Sequence, residues 1–155
     1  MKESKLIYLA TPYTDRHRGV EIYRFQQVTA VSAILLENGI FNFSPITQSH
    51  EQHMLGNLPG TWDFWKEVDL TFLDRCDELY VLSEPGWQES VGVTAEIEFA
   101  KENNIPVKYI LFDEDKNNVS EIPEEKAREV KQWTEYQKKA INSTVTNHRY
   151  QNYQG

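Results

Sequence analysis

The chain has 155 residues and a mass of 18.2 kDa, enough for one domain with a real core and too little for two ordinary catalytic domains. Its 24 Asp and Glu against 16 Lys and Arg give a net charge of -8 and an isoelectric point near 5.0, which argues against general affinity for nucleic-acid polymers or anionic membranes. A lone Cys76 excludes an internal disulfide and a multi-cysteine metal centre and points to a cytoplasmic location; no stretch approaches the ~20 apolar residues of a membrane span, and no cleavable targeting segment is evident.

Leu6 to Ala10 and Ile40 to Phe43 read as short strands. Between them, from about Val20 to Glu37, Tyr23, Gln27, Ala30, Ile34 and Leu35 recur with helical spacing, and Asn38-Gly39 supplies a stop. That is one β-α-β unit. Ser44 to Thr61 lacks a convincing period and contains Pro45, Pro59 and Gly60, so a long structured loop is expected there. From Trp62 to Arg75 the spacing predicts a helix, with Trp65, Val68, Phe72 and Cys76 approximating one stripe. Leu79 to Leu82 then reads as a third strand, Ser90 to Asn103 as a helix, and Val107 to Phe112 as a fourth strand.

This alternation predicts an α/β fold, flavodoxin-like or Rossmann-like, with an open, mostly parallel sheet and flanking helices. Ligands of such sheets sit outside the carboxyl ends of the strands, so the loops after Ala10, Phe43 and Leu82 are the ones to watch. After Phe112 the chain turns polar, and we divide it into a core over 1–112 and a charged addition over 113–155. The addition is expected to hold one helix from about Glu124 to Ala140, with Ala127, Val130, Trp133 and Ile141 as packing positions, and a loose tail over 142–155.

Two carboxylates conflict with their surroundings. Val93, Glu96, Ile97 and Ala100 share one helical face, and Asp69 lies among Trp65, Phe72 and Leu73. An unpartnered acid on a packed face is costly, so each needs either a functional pocket or a compensating network. Spacing alone leaves both readings open and leans to the structural one. Asp77, just before the third strand, reads as a turn or capping acid.

Ser90-Val91-Gly92 opens the Glu96 helix, where Ser90 is suited to capping and Gly92 to close approach of an anion; ordinary capping is the simpler account. Arg16, Arg18 and Arg24 lie near the exit of the first strand and could assist an anion or face solvent. His50 and His53 lack a third ligand at metal spacing, so a substrate contact or a supporting hydrogen bond is expected of them and no metal. Trp62, Trp65 and Trp87 could frame a nucleobase or simply pack. No Gly-x-Ser-x-Gly elbow, phosphate-binding Gly-x-x-x-x-Gly-Lys-Ser/Thr loop or Gly-x-Gly-x-x-Gly fingerprint is present, which weakens esterase, ATPase and dinucleotide-enzyme readings.

Several motifs carry a family resemblance when taken together. They are Tyr8-Leu9-Ala10-Thr11-Pro12-Tyr13, Phe43-Ser44-Pro45-Ile46 with Ser49-His50, Leu58-Pro59 with Trp62 and Trp65, Asp69, Cys76-Asp77, and Pro85 through Glu96. In this combination the chain resembles the nucleoside 2-deoxyribosyltransferase-like superfamily, especially its small phage and bacterial branch. The resemblance implies a flavodoxin-like fold, homo-oligomerisation and no cofactor. It also implies Glu96 as the nucleophile at the anomeric carbon of a nucleoside sugar, Tyr8 as its orienting partner and Asp69 as the acid. Ser90 and Gly92 match the phosphate-contacting arrangement of the nucleoside 5′-monophosphate hydrolases of this superfamily, with Arg16 as a further phosphate contact. This match favours a nucleotide over a nucleoside; where the transferases commonly carry a base-recognising acid, this chain has Ser90, a departure that favours hydrolysis or nucleotide-specific transfer over base exchange. Tyr13, Phe43, His50 and Trp87 are the expected substrate contacts.

Overall fold

A computed structural model describes residues 4–144. Along the chain run β1 (Leu6–Ala10), α1 (Arg18–Glu37), β2 (Phe41–Phe43), α2 (Pro45–Gly56), α3 (Trp62–Leu73) and β3 (Glu78–Leu82). They are followed by α4 (Val91–Glu102), β4 (Val107–Asp113), β5 (Asn118–Ile122), α5 (Glu124–Arg128) and α6 (Glu135–Thr144). One five-stranded sheet has the order β2-β1-β3-β4-β5, parallel from β2 to β4 and antiparallel only at β5. The architecture is the open α/β sheet that the strand-helix alternation predicts.

Side-chain alternation along the strands builds a core on each face of the sheet. Tyr8 and Ala10 join Leu79, Val81, Leu73, Val93, Ala100 and Ala127 on the side of α3, α4 and α5. Leu9, Leu82 and Ile110 meet Val28, Val31 and Leu35 of α1 on the other side. The inward stripe of α1 is thus displaced from the sequence reading: Tyr23, Gln27 and Leu35 are buried, but Ala30 and Ile34 are only half-buried. The helix is enclosed on more than one side near its start, where Ile22 and Phe25 form another cluster, and this blurs its period.

The region expected to be a loop over 44–61 contains α2. Ser44 caps it by accepting from the Thr47 N–H at 3.2 Å, Pro45 occupies its first turn, and Asn57 ends it with φ of 54°. These are ordinary helix start and stop signals, but only Pro45 and His50 are buried along α2, so no apolar period announced it.

The C-terminal segment also differs from the sequence reading. Asp113 to Asn118 forms the turn of a hairpin in which the Asp113 carboxylate accepts from the Lys116 N–H at 3.2 Å and Asn117 adopts φ of 49°. Beyond the hairpin there are two helices in place of one. Thr134 and Gln137 form a reciprocal capping box at 2.9 and 3.1 Å that starts α6 afresh. Ala127 and Ile141 are buried as anticipated, and Trp133 packs on Tyr23. Residues 113–144 therefore complete the same sheet and its cover. The expected loose tail starts inside α6 at Asn142, and 145–155 lie outside the described residues. Among the described residues no helix is long and apolar enough to cross a membrane.

Candidate active site

Because β1 lies between β2 and β3, the chain winds to opposite sides of the sheet after β1 and β3, and a crevice opens outside their carboxyl ends. A cavity of about 460 Å³ occupies it. Thr11, Tyr13 and Thr14 line it from the loop after β1, Pro45, Ile46 and Ser49 from α2, and Glu89 to Val93 from the loop after β3 and the start of α4. Trp62, Trp65 and Asp69 of α3 and Glu96 of α4 complete the floor and far wall.

Glu96, 4% exposed, receives a hydrogen bond at Oε2 from the hydroxyl of Tyr8, which is wholly buried on β1. Burial pushes the Glu96 carboxyl up to about 8; the Tyr8 hydroxyl pulls it down, and the charge of Asp69 adds to the rise. Asp69, 9% exposed, is pushed up by burial to about 7. The Tyr8 phenol is held well above its ordinary range by burial and by the neighbouring acids Glu96 and Asp69, so it stays a donor. The two carboxyls thus hold protons near neutrality. In a shared site the pair passes through a form with one carboxylate and one carboxylic acid, the combination needed by a nucleophile and a proton donor.

Of the residues singled out from sequence, Glu96, Asp69, Tyr13, Ser90 and Gly92 line this cavity, and Tyr8 supports it from the core. Four others stand off the wall. Phe43 stacks on Phe72 at 4.1 Å and tilts against Tyr8. His50 stacks on Phe25 at 4.0 Å, with Nδ1 2.7 Å from the Tyr13 hydroxyl, so it supports a wall residue from behind. Trp87 is buried and its indole N–H donates to the Ala127 carbonyl at 2.9 Å. Arg16 is exposed and, like Arg18 and Arg24, lines no part of the cavity.

Ser90 and Gly92 each have a local task. The Ser90 hydroxyl accepts from the Val93 N–H at 3.2 Å, and a Cβ at Gly92 would meet the Trp62 ring at 3.2 Å, so the glycine admits the indole. The cap thus takes the Val93 amide, while a helix start also leaves the amides of the two preceding positions, Val91 and Gly92, without intrahelical partners. His50 and His53 diverge, His53 turning its Nδ1 to the Leu58 carbonyl.

His53, of which a substrate contact or a supporting hydrogen bond is expected, lies on the wall, as do Thr11, Ser49 and Glu89, which sit inside the family motifs without a role of their own; Asp63 is a wall residue that no motif marks. Among the described residues, Asp63 and Glu89 bring the acids on the wall to four, with Asp69 and Glu96, while no Lys or Arg lines it. No pattern of spacing marks them, because they meet only once α3 packs on α4.

A family model described as Domain of unknown function (DUF1937) matches residues 5–111. The chain belongs to this family. The matched span runs from β1 to β4 and so includes every cavity residue named above, whereas β5, α5 and α6 fall beyond it. No curated protein matches the chain.

Proposed function

We propose that this member of the family cleaves or transfers the N-glycosidic bond of a nucleoside 5′-monophosphate or nucleoside, with Glu96 as nucleophile. The observation that carries this reading is the pair of buried acids, Glu96 held by Tyr8 and Asp69 beside it, on the wall of a cavity at the strand switch point. The resemblance to the nucleoside 2-deoxyribosyltransferase-like superfamily supports the same roles.

Glu96 attacks C1′ of the sugar through Oε1 while Tyr8 holds Oε2. The C1′–N bond breaks, its electron pair goes to the base nitrogen, and Asp69 or a water supplies the proton. Water or a second base then attacks C1′ of the glycosyl ester, and the carboxylate leaves. Two easier displacements replace one difficult one. Trp62 and Trp65 offer flat apolar surface to the base.

Within this reading the leaving-group chemistry is fixed and the 5′ substituent is not. The amides at the start of α4 favour a phosphate. Four wall carboxylates, with no Lys or Arg beside them among the described residues, favour the neutral nucleoside, which meets no such repulsion. A cytoplasmic location and a homo-oligomer belong to the same proposal. Phe64, Val68 and Phe72 leave an exposed apolar stripe on α3, which a second copy would cover.

The test is a chromatographic screen for free base over nucleosides and nucleoside monophosphates, with and without an acceptor base. Release by the wild type and its loss in Glu96→Gln support the proposal. Equal turnover by both proteins removes Glu96 from the role, and retained binding without any release would make the chain a nucleotide-binding protein.

A further inference from the structure

Arg24 of α1 lies outside the cavity and is 5% exposed. Its Nη1 donates to the carbonyls of Tyr13 and Thr14, each at 3.2 Å, and its Nη2 to the carbonyl of Pro85 at 2.9 Å. Tyr13 and Thr14 belong to the wall after β1. Pro85 begins the loop that leads to Glu89 and Ser90 on the wall after β3. One guanidinium thus joins two segments that are far apart along the chain, Thr14 and Pro85 being 71 positions from each other.

The loop after β3 is shaped around this group. Gly86 has φ of +94°, and a Cβ there would come within 2.5 Å of Nη2. Trp133 covers the guanidinium with its ring centre 5.9 Å from Cζ, and Asp15 lies 3.9 Å from Nη1. A buried cation needs hydrogen-bond acceptors, and the planar fork of arginine sets Nη1 and Nη2 apart so that each reaches a different loop, whereas an ammonium holds all its donors at one point; Nε is left without a partner among the described residues. Buried Glu84 adds a carboxyl whose charge interacts with that of Arg24.

We infer that Arg24 is a positioning residue that clamps the loops after β1 and β3 into one wall unit, so that substrate placement against Glu96 depends on a cation the substrate never touches. Its consequence for turnover rests on the glycosidic reading above; the clamp itself does not.

The test is amide hydrogen exchange on the full chain, comparing wild type with Arg24→Lys and Gly86→Ala. The clamp predicts that exchange rises about tenfold or more in segments 11–17 and 84–90 together, while β4 and α3 keep wild-type rates. Should Arg24→Lys fail to fold, Gly86→Ala, which displaces Nη2 and retains the cation, must show the same paired pattern. Loosening of one loop alone, of neither, or of the whole sheet overturns the clamp. On any glycoside the wild type cleaves, the variants should raise KM about tenfold with the midpoints of the pH profile unmoved, and moved midpoints would overturn it too. If the wild type cleaves nothing, the glycosidic reading falls while the exchange result still judges the clamp.

Discussion

The two ends of the sheet each carry a cavity of about 460 Å³ and a buried glutamate, and they treat that glutamate in opposite ways. At the amino ends of the strands Glu78, 6% exposed, is met by Lys5 at 3.0 Å and Lys108 at 3.5 Å. At the carboxyl ends Glu96 is met by a neutral phenol and lies near a second acid, Asp69. Removing a carboxylate from water is costly, and a cation is the usual remedy. Where a remedy is built, the acid serves the fold; where it is withheld at a cavity wall, the acid titrates near neutrality, as the proposed chemistry requires.

The largest expected effect breaks the comparison at Glu96. Glu96→Gln should lower kcat for base release by about 10³-fold or more, since the nucleophile is gone, as read in steady-state assays. Asp69→Asn should cost about 10²-fold in kcat for a poor leaving base and abolish the alkaline limb of the pH profile. In the wild type that profile of kcat/KM should be bell-shaped with its peak between about pH 7 and 8; because Asp69 gives up its proton near 7 and Glu96 near 8, the productive form, with Glu96 ionised and Asp69 protonated, is the scarcer of the two singly ionised forms.

Tyr8→Phe removes the donor that favours the Glu96 carboxylate, so the productive form becomes scarcer still: the alkaline midpoint should move to higher pH, with about a tenfold loss at pH 7. A smaller effect appears in stability. Glu96 and Asp69 keep their protons in the fold to about 8 and 7, whereas the unfolded chain releases them near pH 4. The folded form therefore binds more protons, and stability from this source is full below about pH 4 and declines as pH rises through 7 to 8. Thermal melts of Glu96→Gln at pH 5 and pH 9 should show a gain over wild type that is larger at pH 9. At the other end of the sheet, Glu78→Gln should lower the melting temperature slightly and leave kcat within about twofold, because Lys5 loses its ion pair, Lys108 keeps only Glu121 at 3.8 Å, and the position lies at the opposite ends of the strands from the cavity that holds Glu96.

Much of the sheet was legible because its central strands are short apolar runs separated by helices of ordinary length. The charged run after Phe112 hid β5, an edge strand with Asn118, Ser120 and Glu121 exposed, which carries little of the alternation that marks a half-buried strand. The capping signals at Ser44-Pro45 and Thr134-Gln137 were present and outweighed by weak periodicity. In the site, the conflict at Glu96 was readable from Val93 and Ala100, both buried beside it. That Tyr8 would reach it from β1, 88 positions away, was available only through the family resemblance. Trp87 and Phe43 carry the same aromatic signal as Trp62 and Trp65. Only the packing of α3 over the start of α4 separates wall from core.

The most direct measurement is the mass of the protein after acid quench during turnover of a substrate found in the base-release screen, followed by peptide mapping. The account predicts a mass gain equal to the glycosyl group on the peptide containing Glu96, absent in Glu96→Gln. Base release with the label on another residue, or at the wild-type rate from Glu96→Gln, would contradict it.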